Sequence, residues 1–254
     1  MLRRAQRVFV VRQLTETPRN DEERMWSSVK TEAIVLSTHS FREADRRYSA
    51  LTPTFGKVEF VGRGALKPKA KLAAHLEPCA IVELEIIRGA RSTTVINVER
   101  RHAFRRMGGS IDHRLLALTS MSLLDRMMQP DEEDTVLYSE LLAWMHFLES
   151  QETLHPTRST LLLGGFLLRI MRHLGYDSAH LDEMPKHAGA AVLITLARKT
   201  PYTDIVALPL KGADVEAFAV YVHELLGYYV PGYADRPFWV GITTTTCQPI
   251  VQAL

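Results

Sequence analysis

The pattern of hydrophobic and polar positions changes character about 110 residues into the chain. Before that point it consists of short runs rich in β-branched residues, separated by turn signals such as residues 53–56 and 88–91, and such runs predict strands. The predicted strands are residues 31–37, 48–52, 57–62, 80–87 and 93–99. A segment rich in Lys and Ala, residues 65–78, lies between the third and fourth strands and predicts a helical turn. Five strands with a helical insert at that position predict an OB-fold β-barrel.

After residue 110 the apolar positions recur at intervals of three and four, which predicts helices. The predicted helices cover about residues 111–128, 135–148, 158–174 and 214–229. Ser110 is expected to cap the first helix, residues 131–134 to form an acidic first turn of the second, and Gly175 to end the third. Two further runs, 190–197 and 204–210, predict a short β-hairpin near 190–210 or irregular structure.

These patterns predict an α+β protein with three regions. An N-terminal extension, residues 1–28, begins with Arg3, Arg4, Arg7 and Arg12 and has only a brief apolar stretch before it turns acidic, which makes a poor signal peptide. We expect it to be disordered or to result from an upstream start codon, and an amphipathic targeting helix is the alternative. An OB domain over residues 29–106 and a mainly helical domain over residues 110–254 follow.

Composition excludes several classes of protein. Two cysteines, Cys79 and Cys247, lie 168 positions apart, so neither a disulfide framework nor a CxxC zinc knuckle is expected, and a reducing cytoplasmic compartment fits best. No apolar run approaches the roughly 20 residues that cross a membrane. The sequence has no GxxxxGK[ST] phosphate loop and no GxSxG elbow, and the motif that begins His223-Glu224 lacks the second histidine of a zinc protease. We therefore expect no enzymatic activity.

Charge is distributed unevenly between the two halves. Residues 1–110 contain 21 Lys and Arg against 12 Asp and Glu, and residues 111–254 contain 10 against 17. A basic module joined to an acidic one is typical of a domain that binds polyanions, because phosphate binding depends on local charge. Uneven solvation of the two surfaces is the alternative explanation.

The most basic segment follows the third predicted strand. Gly62-Arg63-Gly64-Ala65-Leu66-Lys67 leads into Lys69 and Lys71, and small residues let the backbone of a polyanion approach closely. We predict a phosphate clamp of Arg63, Lys67, Lys69 and Lys71. Secondary DNA contacts are predicted at Arg42, Arg46, Arg47, Arg88 and Arg91, and a second patch at the far strand ends would add Arg100, Arg101, Arg105 and Arg106. Phe60 is predicted to be a barrel-core residue, with base stacking as the alternative.

Several motifs resemble the RecO family of bacterial recombination mediators. They are Phe41-Arg42-Glu43-Ala44-Asp45, the turn over residues 51–57, Val61-Gly62-Arg63-Gly64-Ala65 and Leu76-Glu77-Pro78, with a weaker match at Arg172-His173-Leu174-Gly175-Tyr176. Apart from the weaker match, they follow the order of the family's N-terminal OB domain, in which the resemblance runs from Thr31-Glu32-Ala33-Ile34-Val35-Leu36 to Glu83-Leu84. Many members carry a four-cysteine zinc module after the HLGY-like helix, but this chain has no cysteine between Tyr176 and Leu210. We therefore expect no zinc and no cofactor, although His180, Asp182 and His187 leave a weak site open.

The resemblance implies a function and a set of partners. It implies a non-enzymatic DNA repair protein, associated with the nucleoid, that binds single- and double-stranded DNA and anneals complementary strands. It also implies assistance in loading RecA onto strands coated with single-strand-binding protein, together with RecR and the C-terminal tail of the coating protein as partners. Candidate tail-binding residues are Arg126, Arg169 and Arg172. The alternative is an OB-fold scaffold that binds protein and not DNA.

Overall fold

The N-terminal half forms a closed β-barrel in the computed structural model, which describes residues 28–67, 73–88, 93–176 and 188–233. Its strands are β1 (Ser28–Ser40), β2 (Arg46–Thr52), β3 (Gly56–Gly62), β4 (Ile81–Arg88) and β5 (Thr93–His102). They follow one another around the barrel in the order β1-β2-β3-β5-β4. The β3–β5 pair is parallel and the other pairs are antiparallel. The predicted five-stranded OB fold is therefore confirmed. The described parts of residues 65–78 contain a hydrogen-bonded turn, closed by the Leu76 amide donating to the Ala73 carbonyl at 3.3 Å, and residues 68–72 lie outside the described chain, so the predicted helical turn stays a prediction.

The long strand β1 closes the barrel because it serves two neighbours. Its first half pairs with β4 and its second half with β2, with a register shift between Val35 and Ser37. Alternate side chains fill the interior, where Tyr48 stacks on Phe60 with ring centroids 5.4 Å apart. Phe60 is 1% exposed, so the core position predicted for it is confirmed and no base can reach its ring.

The C-terminal half is helical. Its elements are α1 (Arg105–Gly109), α2 (Ile111–Met127), α3 (Thr135–Ser150), α4 (Pro156–His173), α5 (Ala188–Lys199), α6 (Tyr202–Ala207) and α7 (Gly212–Tyr229). The hairpin predicted near 190–210 is wrong, since α5 and α6 occupy that stretch. Ala190, Leu193, Ile194 and Ala197 are buried at helical spacing, but β-branched residues between them hide this period in the sequence.

The predicted helix ends are partly right. The acidic run does not form the first turn of α3, because the helix begins at Thr135 and Asp134 caps it by accepting a hydrogen bond from the Leu137 amide at 2.8 Å. Ser110 occupies the cap position of α2, but its hydroxyl lies 2.9 Å from the His113 ring instead of a helix amide. Gly175 follows α4 with φ +79°, as expected of a C′ glycine.

Barrel and helices share one apolar core. Outward-facing barrel residues pack into the helical core cluster, namely Ile34, Leu36, Leu51 and Ile81. Polar contacts from α2 reinforce this packing, because the Asp125 carboxylate accepts hydrogen bonds from Ser37 at 2.8 Å and Ser49 at 2.6 Å and lies 3.0 Å from the Lys57 ammonium. Through these contacts the helical half covers parts of β1 and β2 and the start of β3, and they do not reach the β1–β2 turn. None of the helices in the described ranges is long and apolar enough to span a membrane.

Candidate nucleic-acid interface

The turn between β1 and β2 gathers cations at one end of the barrel. The Phe41 amide donates to the Asp45 carbonyl at 3.0 Å and closes this turn. The guanidinium carbons of Arg42 and Arg47 lie 5.1 and 4.6 Å from the Phe41 ring centroid. Both arginines are exposed, and the half-buried Arg46 begins β2 beside them. Three predicted secondary contacts are thus brought together.

The glycine-containing loop after β3 is fastened to this turn. The Gly64 amide donates to Asp45 Oδ1 at 2.8 Å, and the Leu66 amide donates to the Ala44 carbonyl at 3.0 Å. Gly64 has φ +66°, a backbone conformation that residues other than glycine rarely adopt. Arg63 and Lys67 are both exposed on the same loop. Two of the four predicted clamp residues therefore adjoin the arginines of the β1–β2 turn.

The end of β4 belongs to the same end of the barrel. Strand register aligns Tyr48 with Phe60, Phe60 with Thr93, and Thr93 with Arg88. Neighbouring strands lie about 4.8 Å apart, so the Arg88 backbone is within roughly 15 Å of β2 along the barrel wall. We define the basic end of the barrel as Arg42, Arg46, Arg47, Arg63 and Lys67. The side chain of Arg88 lies outside the described part of the structure, so its DNA contact stays a prediction.

Some predicted residues lie outside the described part of the chain. Lys69, Lys71 and Arg91 are among them, and so are His180, Asp182 and His187. Their roles stay predictions. Within the described ranges, no three His, Cys, Asp or Glu side chains are grouped as a metal ion requires.

The arginines of the far strand ends have other partners. Arg101 lies 2.5 Å from Glu83 and 3.1 Å from Glu99, and the Arg100 guanidinium donates to the Ala74 carbonyl. Strand register places Glu32, Glu83 and Glu99 in one row across β1, β4 and β5. This row holds three carboxylates against Arg101, which already pairs with two of them, so DNA contacts of Arg100 and Arg101 would compete with these partners and stay predictions.

Further along the chain, Arg105 and Arg106 begin α1 against the Glu149 carboxylate, which accepts hydrogen bonds from both backbone amides at 2.9–3.2 Å. The Arg106 side chain donates to the Gln151 carbonyl at 3.0 Å. These contacts join the end of the barrel to α3. They give the two residues a structural role in the connection between the two halves.

The three candidate tail-binding arginines differ in their surroundings. Arg169 Nε donates to the Ala197 carbonyl at 3.1 Å, its Nη2 donates to the Thr200 carbonyl, and its guanidinium stacks 4.3 Å from the Tyr202 ring centroid. It therefore holds the C-terminus of α5 in place. Arg126 is half-buried in the last turn of α2, and Arg172 is exposed in the last turn of α4. Partner binding by these three residues stays a prediction.

Sequence reasoning missed an aromatic residue that lies among the cations of the basic end. Phe41 is 38% exposed and belongs to neither core cluster of the described chain, whereas the more obvious Phe60 is buried. The available signal was its position in a turn between two strands, directly before a cation. A phenylalanine ring in a turn between two strands lies outside the barrel interior and therefore stays exposed.

Comparison with known proteins agrees with these features. The family described as "Recombination protein O N terminal" matches residues 25–104. The chain is 30% identical over 177 residues to a DNA repair protein RecO of Thermobifida fusca, covering 65% of this chain and 72% of that protein. It is 29% identical over 156 residues to the Cutibacterium acnes protein of the same name, covering 60% of this chain and 63% of that one. A Heliobacterium modesticaldum relative, also named DNA repair protein RecO, is 30% identical over 147 residues, covering 58% of this chain and 51% of its own. The matched part thus spans between half and two thirds of the latter two relatives.

Proposed function

The chain belongs to the RecO family of DNA repair proteins, and on that premise we propose that it is a recombination mediator that binds single- and double-stranded DNA through the basic end of the barrel. In the proposed reaction it anneals complementary strands and assists RecA loading onto strands coated with single-strand-binding protein. The observation that carries the proposal is the convergence of two fastened loops that present Arg42, Arg47, Arg63 and Lys67 to solvent at one place.

Physical chemistry supports this activity without a catalytic step. Cations that neutralise phosphates release condensed counterions, and this release favours binding of any sequence. Cations between two strands also screen the repulsion of their phosphates, which is what annealing requires. The ties through Asp45 and Ala44 fix the loops before DNA arrives, so less conformational entropy is lost on binding. We therefore expect DNA binding and annealing that need no ATP and form no covalent intermediate.

The proposed partners follow from family membership. They are RecR, the C-terminal tail of single-strand-binding protein and, indirectly, RecA. The acidic tail of the coating protein needs a cation beside an apolar surface, and Arg172 offers an exposed cation for it at the end of α4. We place the protein in the cytoplasm, on the nucleoid.

The test is a salt series of fluorescence-polarisation titrations with single- and double-stranded oligonucleotides. Affinity should fall steeply with salt. For single strands the slope of log K against log salt is about −0.7 for each phosphate neutralised. Changing Arg42, Arg47, Arg63 and Lys67 together to Ala should therefore reduce the slope by about 3 and remove most binding at moderate salt.

A matched variant controls for net charge. Lys30, Arg114, Lys199 and Lys211 are exposed elsewhere, and changing these four to Ala removes the same charge. This control should keep most of the parental affinity, and both variants should melt near the parental temperature because exposed cations contribute little to folding. Equal losses in the two variants would show that only net charge matters. Absence of salt-dependent DNA binding by the parent would favour the protein-binding scaffold.

A further inference from the structure

An exposed aromatic ring lies in the middle of the basic end. Phe41 is flanked by the guanidinium groups of Arg42 and Arg47 and is 38% exposed. We propose that Phe41 stacks on an unpaired DNA base and gives the basic end its preference for single strands over duplex. This inference rests on the DNA binding proposed above and adds that the site distinguishes unpaired bases from paired ones.

The backbone around Phe41 holds the ring in place. Its amide donates to the Asp45 carbonyl at 3.0 Å, and Asp45 is in turn fastened to Gly64 at 2.8 Å. The ring is therefore positioned by a turn with bonds on both sides. It contributes to neither apolar core cluster among the described residues, so packing of these cores does not account for a phenylalanine here.

The chemistry of the neighbours fits a nucleobase. Guanidinium groups attract the π-face of an aromatic ring and also stack on bases, and those of Arg42 and Arg47 both lie close to the Phe41 ring. A base that stacks on this ring therefore has cations beside it that bind the adjacent phosphate. Stacking of this kind tolerates every base, in agreement with sequence-independent binding.

Duplex DNA cannot use this contact. Its bases are stacked on each other and paired, and removing one from the helix costs free energy that a single ring does not return. Duplex therefore binds through phosphates alone. Single strands gain the additional stacking, which corresponds to about a 10-fold increase in affinity for one base.

The experiment compares three ligands of equal phosphate number: an oligothymidylate, a duplex and an abasic single strand. Phe41→Ala should weaken oligothymidylate binding about 10-fold and leave the duplex and abasic strand within about twofold of the parent. Phe41→Trp should restore binding, and Phe41→Leu, which keeps apolar volume without a π-face, should resemble Phe41→Ala. The salt slope should stay unchanged in all three variants because no cation is removed.

Tyr228→Ala is the matched control. Tyr228 is an exposed aromatic side chain, at 69%, and it lies in α7 in the helical half. Its loss should leave all three affinities unchanged.

A fluorescent base gives a second measurement. If 2-aminopurine replaces a base of the oligonucleotide, stacking on Phe41 should quench its fluorescence when the parent protein binds, and Phe41→Ala should abolish this quenching.

Two results would overturn the inference. Equal weakening on all three ligands would show that Phe41 only orders the two arginines, and unchanged oligothymidylate binding by Phe41→Ala would show that no base contacts it. Failure of the proposed function is distinguishable from both, because the parent protein would then bind none of the three ligands.

Discussion

Asp45 is an acidic side chain at the centre of the basic end, where charge alone makes it unfavourable for DNA binding. Its Oδ1 accepts the hydrogen bond from the Gly64 amide at 2.8 Å, and its carbonyl accepts the one from Phe41 at 3.0 Å. Asp45 therefore joins the β1–β2 turn to the loop after β3. We interpret it as a positioning residue whose hydrogen bonds outweigh its repulsion of phosphate.

Two substitutions of Asp45 separate these effects. Asp45→Asn removes the charge but keeps an oxygen acceptor for the Gly64 amide, whereas Asp45→Ala removes both. Because their net charges are equal, the ratio of their DNA affinities reports the hydrogen bond alone. We expect Asp45→Ala to bind single strands about threefold more weakly than Asp45→Asn, in keeping with the energy of one such bond. Polarisation titrations at one salt concentration measure this ratio, and equal affinities would show that Asp45 does not order the site.

At this scale the sequence predicts the cations but not the groups that organise them. Arg42, Arg47, Arg63 and Lys67 are evident from charge, and all four are exposed at the same end of the barrel. The role of Asp45 depends on contact with Gly64, 19 positions away, which no local pattern encodes. The same holds for Phe41, because only the barrel determines that this ring is outside while Phe60 is inside.

Among the elements, the strands were predictable because their alternation and turns are local properties. Each predicted strand agrees with an observed one to within a few residues. The helices α5 and α6 were not predictable in this way, since residues 190–197 combine β-branched residues with a helical period. Burial of Ala197 against Gly165 of α4 decides in favour of helix there, and that contact is tertiary.

The contact between α2 and the barrel leads to a prediction about stability. Asp125 accepts from Ser37 and Ser49 and lies 3.0 Å from the Lys57 ammonium, and side-chain exposures of 16% for Asp125 and 9% for Lys57 leave little solvent around this pair. Asp125→Ala leaves the Ser37 and Ser49 hydroxyls without this acceptor and the Lys57 ammonium without its nearest carboxylate, so that Lys57 keeps only the carbonyl of residue 125 at 2.5 Å and Glu59 at 3.9 Å. Removing one partner of a buried pair costs about 3 kcal/mol or more. We expect a loss of this size in the free energy of unfolding measured by urea denaturation.

Two further variants test the origin of that loss. Lys57→Met should destabilise less, because Asp125 keeps both serine donors and the methionine fills the apolar space. Glu216→Ala, an exposed carboxylate of α7, should change stability by no more than about 0.5 kcal/mol. If Asp125→Ala were as mild as Glu216→Ala, the contact would not contribute to the attachment of the barrel.

For the whole molecule, the division into a basic and an acidic half was predictable from composition, but the attachment of one half to the other was not. Asp125 lies 68 positions from Lys57 and 88 from Ser37, so the contact appears only when both halves are folded. The attachment leaves the basic end exposed, and the acidic row of Glu32, Glu83 and Glu99 lies on a different face of the barrel. We expect this distribution of charge to direct DNA to one end of the molecule.

The shared core also determines how the protein unfolds. Four barrel residues, Ile34, Leu36, Leu51 and Ile81, are buried in the same cluster as α2, α3 and α4, and a separated barrel would expose side chains worth about 1.5–3 kcal/mol each. We therefore expect barrel and helices to unfold as one cooperative unit. In native-state hydrogen exchange, the most protected amides of β2 and of α4 should share one opening free energy. Leu51→Ala, a barrel substitution, should lower both values equally, by about 2–5 kcal/mol. Loss of protection in β2 with unchanged protection in α4 would show instead that the barrel opens independently, and the shared core would then not couple the two halves.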